Sequence, residues 1–217
     1  MKKNSLSVLL PLYYDRLYSH FGKQYWWPCK SGQNFEIITG AILTQNTAWV
    51  NVEKALNNLE EAGMNTAEKI LYCPGEKLQE LIAPAGFFRQ KSIYLKGAAE
   101  FYLQRDGFFR KSSDVVSLRK ELLTLKGVGK ETADSILLYA YGKEIFIIDA
   151  YTRRFASRHL GMDEKMPYDD MQKIFMDHLE KKAVLYNEYH ALIVALCKES
   201  CLKKGCGTLC GKLFKVE

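Results

Sequence analysis

Two glycines near the middle of the chain can present bare backbone to an anion. Gly127 and Gly129 lie in LKGVGKETA, residues 125–133, between two segments whose apolar residues recur at helical spacing. Ser117 is expected to cap the first of these helices. Because glycine adopts a positive φ readily, we expect both glycines to turn consecutive N–H groups outward, toward a phosphate. The alternative is an ordinary glycine turn in a helical hairpin.

An aspartate follows this turn at the end of a short apolar run. Residues 144–148, EIFII, are rich in β-branched and aromatic side chains but too few to form a sheet, so we expect a buried extended link. Asp149 comes next, eighteen positions after Glu131, and an arginine-rich helical segment follows it. Asp149 can serve as a helix N-cap, for which Asp is a favoured residue.

Thiols are concentrated toward the C-terminal end of the chain. Four of the six cysteines lie in CKESCLKKGCGTLC, with three, four and three residues between them. Such a set can hold an iron–sulfur cluster or a tetrahedral zinc ion. Because Pro11 interrupts the apolar run near the N-terminus and no secretion-signal pattern follows, we expect a metal site and not disulfides. The candidate ligands are Cys197, Cys201, Cys206 and Cys210.

The elements that must position these groups are helices. Apolar residues recur at three- and four-residue spacing almost throughout, and Gly or Pro interrupts the pattern at short intervals. The sequence therefore predicts an all-α protein of short helices. The formal net charge of +6 suits a polyanionic partner. Since residues 191–197, an apolar stretch near the end, are far fewer than the roughly 20 residues of a membrane span, we expect a cytoplasmic protein without membrane contact.

The segment LKGVGKETA followed by IFIIDAYTRRFASRHLG resembles the helix-hairpin-helix-Gly-Pro-Asp superfamily of DNA glycosylases, which includes endonuclease III. The segments NFEIITGAILTQNT, GFFRQKSIYLKGAA and HALIVALC extend the resemblance over most of the chain. It implies an all-α fold of two helical lobes. One is a six-helix barrel lobe, residues 31–143, that carries the hairpin. The other pairs residues 1–30 with residues 144–217 and contains the cysteine loop.

The resemblance also implies what the protein binds and does. The hairpin would grip the DNA backbone, and Asp149 would be the catalytic group that assists departure of a damaged base. Double-stranded DNA is the expected partner of a monomeric, prokaryote-like, nucleoid-associated protein in base excision repair. Two roles for the Asp149 carboxylate stay open, stabilising the positive charge on the sugar and activating water. The backbone-binding residues are Gly127, Val128, Gly129, Lys130 and Thr132.

Glu131 departs from the pattern of the bifunctional members of the family. These carry a lysine two residues after the second hairpin glycine, and its amine attacks the sugar and leads through a Schiff base to strand cleavage. A carboxylate cannot form an imine, so base removal by water remains and we expect a monofunctional glycosylase. The neighbouring Lys130 points about 100° away around the helix and is not expected to replace that lysine.

Aromatic residues indicate which base is excised. The run Trp26, Trp27 and Pro28, with Trp49 just after TQNT, resembles the pocket of the family's 3-methyladenine DNA glycosylase III branch. An N3-alkylated adenine is cationic, and an indole face favours a cation by roughly 0.5 to 2 kcal/mol. The alternative is that the tryptophans fill the core between the lobes. Gln45 matches the residue that relatives push into the gap left by the extruded base, with a turn hydrogen bond as its alternative role.

The basic residues and the cysteine loop leave several interpretations open. The family's [4Fe-4S] loop has six, two and five residues between its cysteines, a pattern that this chain does not match. A rearranged cluster, a structural zinc ion and a loop of free thiols are the three alternatives, and none is needed for the chemistry. Candidates for a basic rim or for phosphate contacts are Arg89, Lys91, Arg153 and Arg154, although each residue type is more often solvated.

Two other functions compete with excision of alkylated purines. The same scaffold could act, like endonuclease III, on oxidised or mismatched pyrimidines. A non-catalytic DNA-binding protein would need only the hairpin and the positive charge, and the position of Asp149 after IFII would then be a coincidence.

Overall fold

Helices account for most of the described chain. The structure is a computed structural model that describes residues 5–29 and 33–214. A 3-10 turn (Ala83–Ala85) follows the fifth helix, a π-helical turn (Ile136–Ala140) continues the eighth, and two-residue strands β1 (Cys201–Leu202) and β2 (Gly205–Cys206) pair antiparallel. The predicted all-α class is confirmed. The helices are α1 (Leu6–Phe21), α2 (Asn34–Leu43), α3 (Trp49–Glu61), α4 (Ala67–Tyr72), α5 (Gly75–Ile82), α6 (Phe88–Lys111), α7 (Val115–Leu122), α8 (Lys130–Ser135), α9 (Ala150–Leu160), α10 (Tyr168–His178), α11 (Ala183–Glu199) and α12 (Thr208–Phe214).

The chain divides into two compact units. One is Trp27–Lys143, and the other combines Met1–Trp26 with Glu144–Glu217. The division between residues 143 and 144 coincides with the predicted one. The other division falls between residues 26 and 27, whereas the predicted boundary at residue 31 lies outside the described residues.

The unit Trp27–Lys143 is built from α2 to α8. Cys73 and Pro74 separate α4 from α5, because proline lacks the amide hydrogen that a continuing helix needs. The described part of this unit has seven α-helices, α2 to α8. Its core consists mainly of aliphatic side chains, such as Ile42, Leu95 and Leu137, together with the buried rings of Phe35 and Phe109.

A buried lysine fixes the turn that follows α2. The Nζ of Lys91 donates to the carbonyl oxygens of Leu43 at 2.8 Å and Ala85 at 2.9 Å, and to Thr47 Oγ1 at 2.9 Å. Burial lowers the pKa of Lys91 to about 8, so at neutral pH the amine is mainly protonated and has three hydrogens to donate. Lys91 is 2% exposed, so its expected place in a basic rim is wrong.

The second unit is centred on the extended link before Asp149. Residues 145–148 have neither helical nor strand structure and are buried, as predicted. Phe146 stacks on Phe175 with ring centroids 4.6 Å apart and meets Tyr186 edge to face, and Gln172 Nε2 donates to the Phe146 carbonyl oxygen at 2.5 Å. The link is therefore anchored at a ring and at a backbone oxygen, which fixes the point where α9 begins.

Helices of membrane-spanning length and apolar character are absent from residues 5–29 and 33–214.

Candidate functional site

The two helices of the predicted hairpin are α7 and α8. The N-cap of α7 is Asp114, whose Oδ1 accepts from the Ser117 amide at 3.1 Å, so the expectation that Ser117 caps this helix is wrong. Asp114 lies three residues earlier, where its carboxylate reaches an amide of the first turn. Arg119 of α7 and the fully buried Asp134 of α8 form a two-pronged ion pair with N–O distances of 2.6 and 3.1 Å. This pair ties the helices of the hairpin together.

The two hairpin glycines have different conformations. Gly127 has a φ of +82°, whereas Gly129 is extended with a φ of −90° and is the N-cap of α8. The expectation of a positive φ is therefore wrong for Gly129. The Val128 amide donates to the Leu125 carbonyl, and among the described residues the amides of Gly127 and Gly129 have no backbone acceptor. The Gly129 amide thus stands at the start of α8 without a backbone acceptor, which suits an anion site.

Close packing explains why residue 127 is glycine. A Cβ at Gly127 would lie 2.3 to 2.5 Å from three ring atoms of Tyr94, which covers this side of the turn. At Gly129 no atom lies within 4 Å of the corresponding position. Tyr94 was not recognised from the sequence, since nothing in its position on α6 indicates contact with the hairpin.

Gln45, the predicted intercalating residue, contacts the hairpin in this structure. Its Nε2 donates to the Gly127 carbonyl oxygen at 2.8 Å and to Thr132 Oγ1 at 3.0 Å. The side chain therefore joins the turn after α2 to the hairpin, a longer-range bond than the turn hydrogen bond considered as its alternative. Asn46, beside it, is exposed and has a φ of +51°.

The other hairpin residues that were predicted to bind the DNA backbone differ in exposure. Val128 and Thr132 are buried, at 7% and 8% exposure, while Lys130 and Glu131 are exposed in the first turn of α8. Lys130 can thus reach a phosphate, whereas Val128 supports the turn from inside.

Three of the predicted pocket residues belong to the unit Trp27–Lys143. Trp27 meets Trp49 edge to face, with centroids 5.0 Å apart and an interplanar angle of 89°, and lies 5.3 Å from the ring of Tyr139. Its six-membered ring lies so close to α2 that a Cβ on Gly40 would be 2.7 Å from Cζ2. Pro28 is exposed. The fourth residue, Trp26, is half-buried and belongs to the other unit.

A cavity of about 280 Å³ lies beside this aromatic pair. Pro28 and Trp49 both line it, and so does Thr39, whose hydroxyl is buried and has no hydrogen-bond partner among the described residues. Three carboxylates also line the cavity: Glu36, Glu53 and Glu60. Trp27 does not line the cavity, but the Trp49 indole together with acidic groups suits a small cationic ring.

Asp149 caps α9 and also contacts a histidine. Its Oδ1 accepts from the Thr152 amide at 2.7 Å, and its Oδ2 lies 3.5 Å from Nε2 of His190 on α11. Burial raises the pKa of Asp149, but His190 and the hydrogen bonds of Thr152 outweigh it, so the pKa lies below the ordinary value. The carboxylate is ionised at neutral pH. Both interpretations of Asp149, as helix cap and as charged group, are compatible with this geometry.

His190 is a buried neighbour of Asp149 that the sequence did not single out. It lies on the apolar helix segment HALIVALC and is 6% exposed. A histidine within an apolar helix is the one signal that could have drawn attention to it, because such a side chain needs a polar partner.

The two arginines of α9 that were candidates for phosphate contacts bind carbonyl oxygens. Arg153 Nη1 donates to Glu164 at 3.1 Å and to Met166 at 2.7 Å. Arg154, 8% exposed, donates through Nε to the Cys201 carbonyl oxygen at 2.7 Å. These contacts give both arginines a structural role.

The structure brings together three of the four predicted metal ligands. Cys201, Cys206 and Cys210 form a group with His159 of α9, and the ligand atoms of all four lie within 4.8 Å of one another. Cys197 is not in this group, and its thiol donates to the Tyr151 carbonyl oxygen at 3.6 Å. His159 had not been predicted. The group can bind a metal ion.

The sequence is similar to those of known DNA repair proteins. The family model described as HhH-GPD superfamily base excision DNA repair protein matches residues 39–181. A protein of Methanocaldococcus jannaschii, named as a candidate DNA repair glycosylase, is 45% identical over 208 residues, which covers 94% of this chain and 93% of the relative.

Solved structures of DNA glycosylases share the fold. The H. pylori 3-methyladenine DNA glycosylase bound to 1,N6-ethenoadenine has a TM-score of 0.73 and 32% identity, and the match covers 89% of this chain and 97% of that one. A trapped endonuclease III–DNA covalent intermediate has a TM-score of 0.78 at 18% identity, with 92% and 90% covered. The chain therefore belongs to the HhH-GPD superfamily of base excision DNA repair proteins, as an endonuclease III-like DNA glycosylase.

Proposed function

We propose that the protein is a monofunctional DNA N-glycosylase that excises alkylated purines such as 3-methyladenine from double-stranded DNA. The observation that carries the substrate class is the edge-to-face pair of Trp27 and Trp49 beside an acid-lined cavity. N3-alkylated adenine is cationic, so indole faces and carboxylates both favour it over a neutral base. The 32% identical H. pylori enzyme, named for 3-methyladenine and bound to an adenine derivative, supports the same class.

The hairpin would hold the DNA backbone while the damaged base is rotated out of the helix. The Gly129 amide at the start of α8 and the exposed Lys130 are the groups that would bind a phosphate. Gln45 would fill the gap left by the extruded base, for which its two bonds to the hairpin must first open.

Asp149 would act by its charge. A general base works best when its pKa lies near the working pH, whereas the pKa of Asp149 is lowered by His190 and Thr152, which makes it a weak base. An ionised carboxylate instead stabilises the positive charge that develops on the sugar as the base departs. A cationic base is already a good leaving group, so this single charge is sufficient for the reaction.

Trp49 provides a test of the substrate class. We expect Trp49→Leu to lower kcat/KM for release of 3-methyladenine by roughly 2- to 30-fold, the factor that corresponds to loss of a cation–π contact. Release of the neutral base 1,N6-ethenoadenine should fall less, because only shape and stacking are lost. Single-turnover assays on duplexes with each lesion measure both rates.

The matched control for Trp49 is Tyr72→Leu, which removes an aromatic ring that is 81% exposed and does not line the cavity. It should excise both bases at the wild-type rate. If wild type releases no alkylated purine but does release an oxidised or mismatched pyrimidine, the proposed substrate class is wrong.

The proposal that the protein does not cleave the DNA strand rests on Glu131. We expect sodium borohydride to trap no adduct between the protein and abasic DNA, because a carboxylate cannot form the imine that borohydride reduces. A bifunctional endonuclease III, run alongside, should give the adduct. A trapped band that disappears in Lys130→Ala would contradict the proposal and identify Lys130 as the nucleophile.

A metal at the C-terminal cysteines would be structural. Its candidate ligands lie near the last turn of α9, whereas Asp149 is the N-cap at the opposite end of that helix. The reaction proposed above uses the charge of Asp149 and water, and needs no metal ion.

A further inference from the structure

Four side chains near the C-terminal hairpin have ligand atoms as close together as those around one metal ion: His159, Cys201, Cys206 and Cys210. The sulfurs of Cys201 and Cys206 are 3.9 Å apart, and Cys206 Sγ lies 3.8 Å from His159 Nε2. When a tetrahedral zinc ion binds sulfur at its usual length of about 2.3 Å, neighbouring ligand atoms are about 3.8 Å apart. These two separations match the edges of such a tetrahedron, and the ligand atoms of all four residues lie within 4.8 Å of one another.

The [4Fe-4S] cluster of endonuclease III relatives does not fit this group. In such a cluster each cysteine binds a different iron atom, so the four ligand atoms lie roughly 6 Å apart. All ligand atoms of this group lie within 4.8 Å of one another. A four-cysteine cluster would need Cys197 as its fourth thiol. Cys197 is not one of the four residues whose ligand atoms lie within 4.8 Å of one another, although its thiol contacts Cys201 and donates to the Tyr151 carbonyl oxygen.

Local structure explains how three cysteines converge. Cys201 and Cys206 are directly paired across β1 and β2, so their side chains lie on the same face of the hairpin. The Gly207 amide donates to the Ser200 carbonyl oxygen at 2.8 Å, which closes the turn into α12 and its first-turn residue Cys210.

The histidine is held by an aromatic ring. His159 lies in the last turn of α9, and its ring packs against Phe214 of α12 with centroids 4.2 Å apart. This contact restricts rotation of the imidazole and directs Nε2 toward Cys206.

Arg158 supplies charge that suits bound thiolates. Its Nη1 lies 3.6 Å from Cys201 Sγ and 4.0 Å from Cys206 Sγ, and it also donates to the Leu202 carbonyl oxygen at 2.6 Å. Three thiolates and a neutral histidine around a divalent cation have a net charge of −1. The guanidinium offsets that charge and orients the sulfurs, as partners of metal ligands commonly do.

We propose that His159, Cys201, Cys206 and Cys210 bind one zinc ion in a tetrahedral site, in place of an iron–sulfur cluster. Three cysteines and one histidine are an established ligand set of structural zinc, with no position open for a substrate. The ion would join the end of α9 to the C-terminal hairpin and α12, and thereby stabilise the unit that carries Asp149.

Metal content of the full-length protein, purified without chelator or added metal, tests the zinc assignment directly. We expect about one zinc per chain by plasma mass spectrometry, no acid-labile sulfide and a colourless solution. Replacement by Co²⁺ should give the visible absorption bands of tetrahedral cobalt with thiolate ligands. A brown protein with iron and sulfide, or a metal-free protein with a Cys201–Cys206 disulfide, would overturn the proposal.

Four variants test the ligand set. His159→Gln and Cys206→Ser should lower zinc affinity by at least about 100-fold in competition with a chelating dye, since each removes a direct ligand. His159→Cys should retain zinc through four thiolates. Cys197→Ser, the matched control, should bind zinc like wild type. Loss of zinc in Cys197→Ser together with retention in His159→Gln would refute the role of His159.

Stability gives a readout that does not depend on activity or on the variants. Removal of zinc from wild type by a strong chelator should lower Tm by at least about 5 °C, and added zinc should restore it. A wild-type protein whose Tm is the same with and without chelator, and which binds neither zinc nor cobalt, would contradict the proposal even if every variant failed to fold.

Discussion

Replacement of Asp149 by asparagine should abolish base release while DNA binding stays within about twofold of wild type. Loss of one charge that stabilises a transition state typically lowers the rate by at least about 100-fold. In wild type the Thr152 amide donates to Asp149 Oδ1 at 2.7 Å. The fold should survive the substitution, because the asparagine side-chain oxygen can accept the same hydrogen bond and asparagine is a good N-cap. Single-turnover release of 3-methyladenine and anisotropy with a lesion-bearing duplex measure the two effects.

Asp163→Asn is the matched control for this variant. Asp163 is exposed, lies in the same unit, and its Oδ1 accepts from the Lys165 amide at 2.9 Å, so the same atoms change in a similar local role. Its excision rate should equal that of wild type. An Asp149→Asn protein that keeps more than about a tenth of the wild-type rate would show that the charge of Asp149 is not what drives departure of the base.

His190→Asn should shift the pH dependence of the same step. In wild type the pKa of Asp149 lies below the ordinary pKa of an aspartate. As pH falls, the carboxylate therefore stays ionised until the pH is below that ordinary pKa. Without His190, burial prevails and the pKa rises, so the rate should decline at a pH higher by at least about one unit. A profile of excision rate against pH for both proteins measures the shift. An unchanged acid limb would show that His190 does not control this charge.

Replacement of Gly127 by alanine should destabilise the protein and abolish tight DNA binding. The φ of +82° is strained for alanine, and its Cβ would lie 2.3 to 2.5 Å from the ring of Tyr94. Strain and overpacking together should cost about 2 to 5 kcal/mol, or roughly 4 to 20 °C in Tm. Displacement of the turn would also break the bond from Gln45 to the Gly127 carbonyl oxygen. Thermal unfolding and a DNA titration measure the two losses.

Gly129→Ala separates the two effects. Its φ is −90° and no atom lies within 4 Å of an added Cβ, so Tm should stay within about 2 °C of wild type. DNA affinity should still fall, by about tenfold, because the methyl group stands beside the bare amide at the start of α8. Wild-type affinity in Gly129→Ala would exclude close approach of a phosphate at this residue.

Tyr94→Ala tests the cause of the Gly127→Ala effect. If contact with the ring contributes to the loss, the double variant should be more stable than the sum of the two single effects predicts, since the clash is gone. Strictly additive effects would leave the positive φ as the whole explanation.

The hairpin and the place of Asp149 at the start of α9 could be predicted because their signals are local. Glycines in the turn, the apolar link before Asp149 and the helical spacing on either side all act within a few residues, and each has a direct backbone consequence. The same locality made the substitution at Glu131 visible. Predictions of single conformations were less accurate: Gly129 is extended and Asp114, not Ser117, caps α7.

Only the tertiary structure decided which distant side chains meet. His159 lies beside cysteines more than forty positions later, His190 lies beside Asp149, and Gln45 bonds to Gly127. Lys91 is buried under three oxygen acceptors instead of standing at the surface. Spacing along the chain sets the face of a helix on which a residue lies, whereas metal ligands, ion pairs and long hydrogen bonds depend on how separate helices pack.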